Sequence, residues 1–188
     1  MEYQRDQTRA QREMQLKLFF RLVDSYNKVK AIRRTLRSYG FSSAEGALSQ
    51  RQVDGFREQM TCLNTVQLDF EALKREIGEA RLFDDKSVEI LGELYNIESY
   101  LNRVLRLWER KGAEIDVGTD REVVASELKY FIGKSEMFKT HVVEPRRKAT
   151  AHMQNSIFGP SSEKVSQKLG KLEKYIDDAE VDDSTRRS

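Results

Sequence analysis

Apolar residues recur in steps of three and four along most of the chain, the spacing of helices that bury one face. In the first segment Phe19, Leu22, Tyr26, Val29, Ile32, Leu36 and Tyr39 form such a stripe, and Gly40 stands where a left-handed helix cap falls. A second helix opens at Ser49, whose spacing to Gln52 suits a capping box. Its stripe is Val53, Phe56, Met60, Leu63, Phe70, Leu73 and Ile77, with polar Gln67 at one expected turn. Gly78 and the run from Arg81 to Asp85 end or bend it, and Asp84 and Asp85 suit the start of a third helix as caps and against its dipole. That helix carries the cleanest pattern: Ile90, Leu94, Ile97, Leu101, Val104 and Trp108 follow with heptad spacing. Thr119 and Glu122 again have capping-box spacing and open a fourth helix through Val124, Leu128, Phe131, Phe138 and Val142. Pro145 either kinks this helix or begins a fifth. Beyond the break at Phe158–Glu163, Val165, Leu169, Leu172 and Ile176 mark a last helix.

No strand alternation, internal repeat or low-complexity tract interrupts this pattern. Stripes on four long helices joined by short loops predict an all-α, antiparallel up-and-down bundle, with one or two shorter helices at the carboxyl end. Residues 1–13 lack the stripe and form a polar extension, either a solvated helix or, as a monomer favours, disordered. Residues 14–180 are expected to make one domain, and 181–188 a flexible tail. The first two helices are the longest, which predicts a projecting end of the bundle.

Composition agrees with long helices whose outer faces are wet. Of 188 residues, 38% are hydrophobic and 34% charged, and Pro145 and Pro160 are the only prolines. Net charge is only +2, but residues 1–39 hold ten basic against four acidic residues, whereas 84–120 hold nine acidic against five basic. Opposed charges on separate segments steer helices or subunits together. Cys62 is the single cysteine, so no internal disulfide forms, and its apolar neighbours predict a packed structural thiol. No run is apolar enough to span a membrane and no signal-peptide pattern opens the chain, so a soluble, cytoplasmic protein is expected.

Two groups of residues carry candidate chemistry. Lys30, Arg33, Arg34 and Arg37 lie at helical spacing beside the first stripe and form an electropositive strip. Such a strip suits an acidic protein partner, an anionic surface or phosphate backbones, or is a solvated face paired with acidic neighbours. The second group lies in Pro145–Gln154, where Arg147, or Arg146, precedes His152. This spacing resembles the motif of HEPN-type ribonucleases, all-α bundles in which two copies of the motif meet across a dimer to cleave RNA. The resemblance implies a dimeric, metal-independent ribonuclease in which His152 moves protons and Arg147 stabilises phosphorane charge. Here Lys148 follows the arginine, where that family usually places asparagine, aspartate or histidine. On a regular helix, five residues turn through roughly 500°, leaving Arg147 and His152 about 140° apart. The alternative is a solvated basic turn followed by an ordinary surface or half-buried histidine.

Other chemistries find no pattern. The Glu-x-x-His pairs of di-iron bundles are absent, since Glu136 precedes His141 by five residues. Glu93, Tyr95 and Glu98 flank the heptad stripe as edge residues, and Trp108 belongs to the core face. The glycines are scattered, and Ser161 and Ser162 have no nearby base. No metal or cofactor is expected. The sequence therefore points to a non-enzymatic interaction, regulatory or scaffold protein acting through its basic first helix, on a protein partner or by self-association as a homodimer. A ribonuclease and a nucleic-acid-binding helical protein are the alternatives.

Overall fold

Burial of one stripe per helix dictates the architecture of the computed structural model, which describes residues 2–40, 46–133 and 136–159. The helices are α1 (Glu2–Gly40), α2 (Gln50–Ala80), α3 (Ser87–Lys111), α4 (Arg121–Glu127), α5 (Lys129–Ile132), α6 (Glu136–Phe138) and α7 (Glu144–Phe158). A π turn, Lys139–Val143, joins α6 to α7. No strand occurs among the described residues; Ala47 and Asp120 form only an isolated bridge that ties the two loops at one end of the bundle. The chain is an all-α, antiparallel bundle. The expected last helix, the 181–188 tail and residues 41–45 of the first loop lie outside the described residues.

Side-chain links show the up-and-down order. Arg21 of α1 reaches Glu76 at 2.6 Å and Asp69 at 3.5 Å, while Gln52 meets the Tyr39 carbonyl, so α2 runs back along α1. The Glu76 carboxylate holds the Arg21 guanidinium above its ordinary pKa. Lys74 pairs with Glu98, returning α3 along α2. Lys148 pairs with Glu93 at 3.4 Å and His141 stacks on Tyr100, returning α7 along α3. Arg146 over Tyr26 then closes the ring against α1.

The stripes meet in one core. Leu22, Val29, Leu36, Phe56, Phe70, Leu73, Leu94, Ile97 and Leu101 are fully buried, and Trp108 packs half-buried at the edge. Glycine at position 55 allows close approach of α1 and α2, because a Cβ there would sit 2.7 Å from the Tyr39 ring. Gln15 is buried and donates to the Leu82 carbonyl in the α2–α3 turn, marking the bundle's end. Beyond it α1 runs on for thirteen residues, about 20 Å at 1.5 Å per residue. Glu2–Met14 is helical and residues 8–14 are exposed, so from residue 8 onward the polar extension is a solvated helix rather than disordered.

Several expectations need correction. Cys62 is exposed, because one residue is a 100° step and carries it off the line of Met60 and Leu63. The fourth helix is not continuous: α4 ends at Glu127 and α5 at Ile132, and Gly133 takes extended backbone. Its cap is Asp120, which accepts from the Glu122 amide at 3.0 Å, and not Thr119. The Thr119 hydroxyl instead accepts from the Asp116 amide at 2.9 Å. The Ser49 box forms, its amide donating to Gln52 Oε1 at 3.0 Å. Asp84 and Asp85 enter a 3₁₀ turn, and α3 begins after it without a side-chain cap.

Leu94→Ala is expected to cost about 2–5 kcal/mol by urea denaturation, the range for truncating a buried leucine. Asp120→Ala should cost about 1 kcal/mol as a lost cap. Glu122→Ala should stay within about 0.5 kcal/mol, because its side chain makes no capping box.

Candidate functional site

The basic strip is divided by the fold. Arg34 is exposed, whereas Lys30, Arg33 and Arg37 are half-buried. Arg33 turns inward. Its Nε donates to the Phe131 carbonyl and its Nη2 to the Gly133 carbonyl, each at 2.7 Å. Its guanidinium also lies 4.3 Å from the centre of the Phe138 ring. These carbonyls close the carboxyl end of α5, where a cation suits the helix dipole and satisfies groups that the helix leaves open. Arg33 is therefore a packing residue first, and its charge is largely engaged there.

Lys30 lies 5.6 Å from the centre of the Tyr26 ring, and Arg146 of α7 lies 4.4 Å from the same centre. Arg146 is 6% exposed, so it is not part of a solvated basic turn. A pattern in the sequence could have found it: Arg146, Ala149, Met153 and Ile157 are spaced by three, four and four, and all are buried. An aromatic face offsets part of the cost of burying the cation. Lys148 does remain on the surface, paired with Glu93.

The structure does not bring Arg147 and His152 onto one flank. α7 is a regular helix over both, so the roughly 140° between them stands. Lys148, one turn before His152, faces α3 through Glu93, whereas Arg146 faces α1 through Tyr26. Both Arg147 and His152 are half-buried, on opposite sides of the helix.

A second feature escaped the sequence. His141 stands in the π turn and stacks on Tyr100, with ring centres 5.6 Å apart and planes 9° from parallel. Tyr100 also packs against Phe131 and Phe138, and its hydroxyl donates to the Tyr130 carbonyl at 2.5 Å. Burial raises the Tyr100 hydroxyl well above the usual tyrosine pKa. The ring contacts follow from where α5 stops and the π turn begins, and neither break carries a regular pattern.

No group of three or more His, Cys, Asp or Glu side chains that could hold a metal ion occurs among the described residues. No helix among them is long and apolar enough to cross a membrane. Comparison with family profiles, with curated proteins and with solved structures returned no match.

The different duties of neighbouring arginines have a measurable consequence. Arg33→Ala should destabilise the fold by about 2–4 kcal/mol, from two charge-assisted bonds and the carbonyls left behind. Arg34→Ala, at an exposed side chain whose contacts are screened by water, should cost less, about 0–1 kcal/mol. Paired chemical denaturation curves, followed by circular dichroism, test the contrast; equal effects would show that Arg33 does not hold α5.

Proposed function

We propose that this chain is a non-enzymatic interaction protein of the cytoplasm that engages an acidic protein partner through α1. The observation that carries this proposal is the shape of α1 itself. Among the described residues it runs on for thirteen residues past Gln15, and in its carboxyl half Lys30, Arg34 and Arg37 lie on one row, Arg34 exposed and the other two half-buried. Residues spaced by four and three share a helix face, so the three positive heads fall in line. Complementary charge of this kind raises association rates and selects partners. The inward turn of Arg33 refines the site: Lys30, Arg34 and Arg37 make the contact surface, and Arg33 supports it.

The test uses two fluorescent probes, a glutamate-rich peptide and a single-stranded RNA, with the full chain at low and physiological salt. Arg34→Glu with Arg37→Glu should weaken peptide binding by about tenfold or more while helicity is unchanged. RNA bound more tightly than the peptide through the same two residues would replace this proposal with nucleic-acid binding. Peptide binding indifferent to both substitutions would remove the strip as a site. Sedimentation of the same samples reads self-association, and a dimer lost on these substitutions would make a second copy the partner.

A further inference from the structure

α3 carries a second row on the side away from the core. Val88, Gly92, Tyr95, Ser99 and Arg106 follow in steps of four, three, four and seven, within about 60° of rotation, and lie opposite the buried Ile97 and Val104. Val88 is 77% exposed and Tyr95 59%, so two bulky apolar side chains stand in water one turn to either side of Gly92. Lys74 of α2, paired with Glu98, lies 5.2 Å from the centre of the Tyr95 ring and holds that ring in place. Glycine weakens a helix interior, and its usual warrant there is the close approach of another group. A Cβ at Gly92 would meet nothing within 4 Å, so packing within one chain does not require the glycine. It leaves an open notch beside Tyr95. Charge along the same helix is divided: residues 84–93 hold four acidic residues and one basic, and 102–111 hold four basic and one acidic. Arg103 is exposed at the basic end, as are Asp84 and Asp85 at the acidic end, although Lys86 stands 3.6 Å from Asp85.

We propose that a second copy of this chain docks on this face, α3 against α3 and antiparallel, with Tyr95 of each copy in the notch at Gly92 of the other. Charge decides both the partner and its direction. A parallel copy would set acid on acid and base on base, whereas an antiparallel copy sets each acidic end on a basic end. Position agrees with charge. Gly92 with Tyr95, Val88 with Ser99 and Asp84 with Arg103 share one midpoint, between residues 93 and 94. One two-fold axis at that point therefore makes each of these contacts twice, the self-complementarity that an isologous interface needs. Asp85 and Arg103 are eighteen residues apart on one rod, too far to meet within a chain, and come together only between copies. In the ring α1, α2, α3, α7, helix α3 stands diagonal to α1, so the pair carries its two α1 helices on its outer sides. Such a dimer offers two basic strips to an acidic partner at once. That consequence rests on the proposed function, whereas the docking itself does not.

Sedimentation equilibrium of the full chain, from roughly micromolar to millimolar, should show a reversible dimer that weakens as salt is added. Arg103→Asp and Asp85→Arg should each raise the dissociation constant by about tenfold or more. The two together should bind at least about threefold tighter than either alone, because the pair is restored with its signs exchanged. Gly92→Leu fills the notch and favours the helix, so it should abolish the dimer without lowering Tm, which separates a blocked interface from a damaged fold. A chain that stays monomeric at millimolar concentration would overturn the proposal. A dimer indifferent to these substitutions would do the same, as would single losses that the double variant does not recover. A dimer lost on Arg34→Glu with Arg37→Glu but kept by Arg103→Asp would place the second copy on α1 instead. If the dimer forms as described and the acidic peptide does not bind, the interface stands and the proposed function is wrong.

Discussion

The last limb of the bundle depends on one guanidinium. α4 and α5 together span too few turns to reach the far end, and Gly133 breaks the helix before α6 begins. A broken limb exposes carbonyls at the break, and buried carbonyls without donors are costly. Arg33 supplies both donors from across the bundle and sets its flat face on Phe138, the first aromatic after the break. One side chain thus fixes the end of α5 and the start of the returning helix together. Phe131, Phe138, Tyr100 and His141 then stack into one cluster around that point.

The π turn answers the next constraint. Pro145 has no amide hydrogen, and its ring crowds the carbonyl four residues earlier, which is His141. The widened turn Lys139–Val143 lies just before it, with the Glu144 amide bonded to the Lys139 carbonyl. Such a turn inserts one residue into the helix and shifts the faces that follow by about 100°. Phe138 and Val142 before the proline, and Ala149 and Met153 after it, are buried on either side of that shift. α7 therefore opens at Glu144 with Pro145 in its first turn, as the expectation of a helix begun at the proline had it, and the π turn joins it to α6.

The regular parts of this fold were legible because period alone specifies them. The stripes of α1, α2 and α3 face the core as read, with Phe19, Tyr39 and Trp108 half-buried against it, and the Ser49 cap follows from its spacing to Gln52. What was not legible depends on partners distant in sequence. Thr119 fits a cap by spacing, yet the Asp116 turn takes its hydroxyl, and Asp120 caps instead. Arg33 looks like any other basic residue of the strip until carbonyls about a hundred residues later come within reach. Arg146 looks solvated because charge outweighs its position on the apolar face, until Tyr26 supplies a ring beneath it. Cys62 misled in the other direction, since apolar neighbours in sequence are not neighbours on a helix face.

Separating the structural cations from the surface ones also narrows what the strip can recognise. Arg33 and Arg146 turn inward, and Lys30, Arg34 and Arg37 lie on one row seven steps long, about 10 Å along the helix. Neighbouring Cβ atoms on such a row stand roughly 5–6 Å apart, the spacing of acidic residues three or four apart on a facing helix. An extended strand places same-side residues about 6.6–6.8 Å apart, twice its rise per residue, and drifts out of step over three charges. On the proposed reading, the geometry of α1 favours an acidic helix over an acidic strand or loop as its partner.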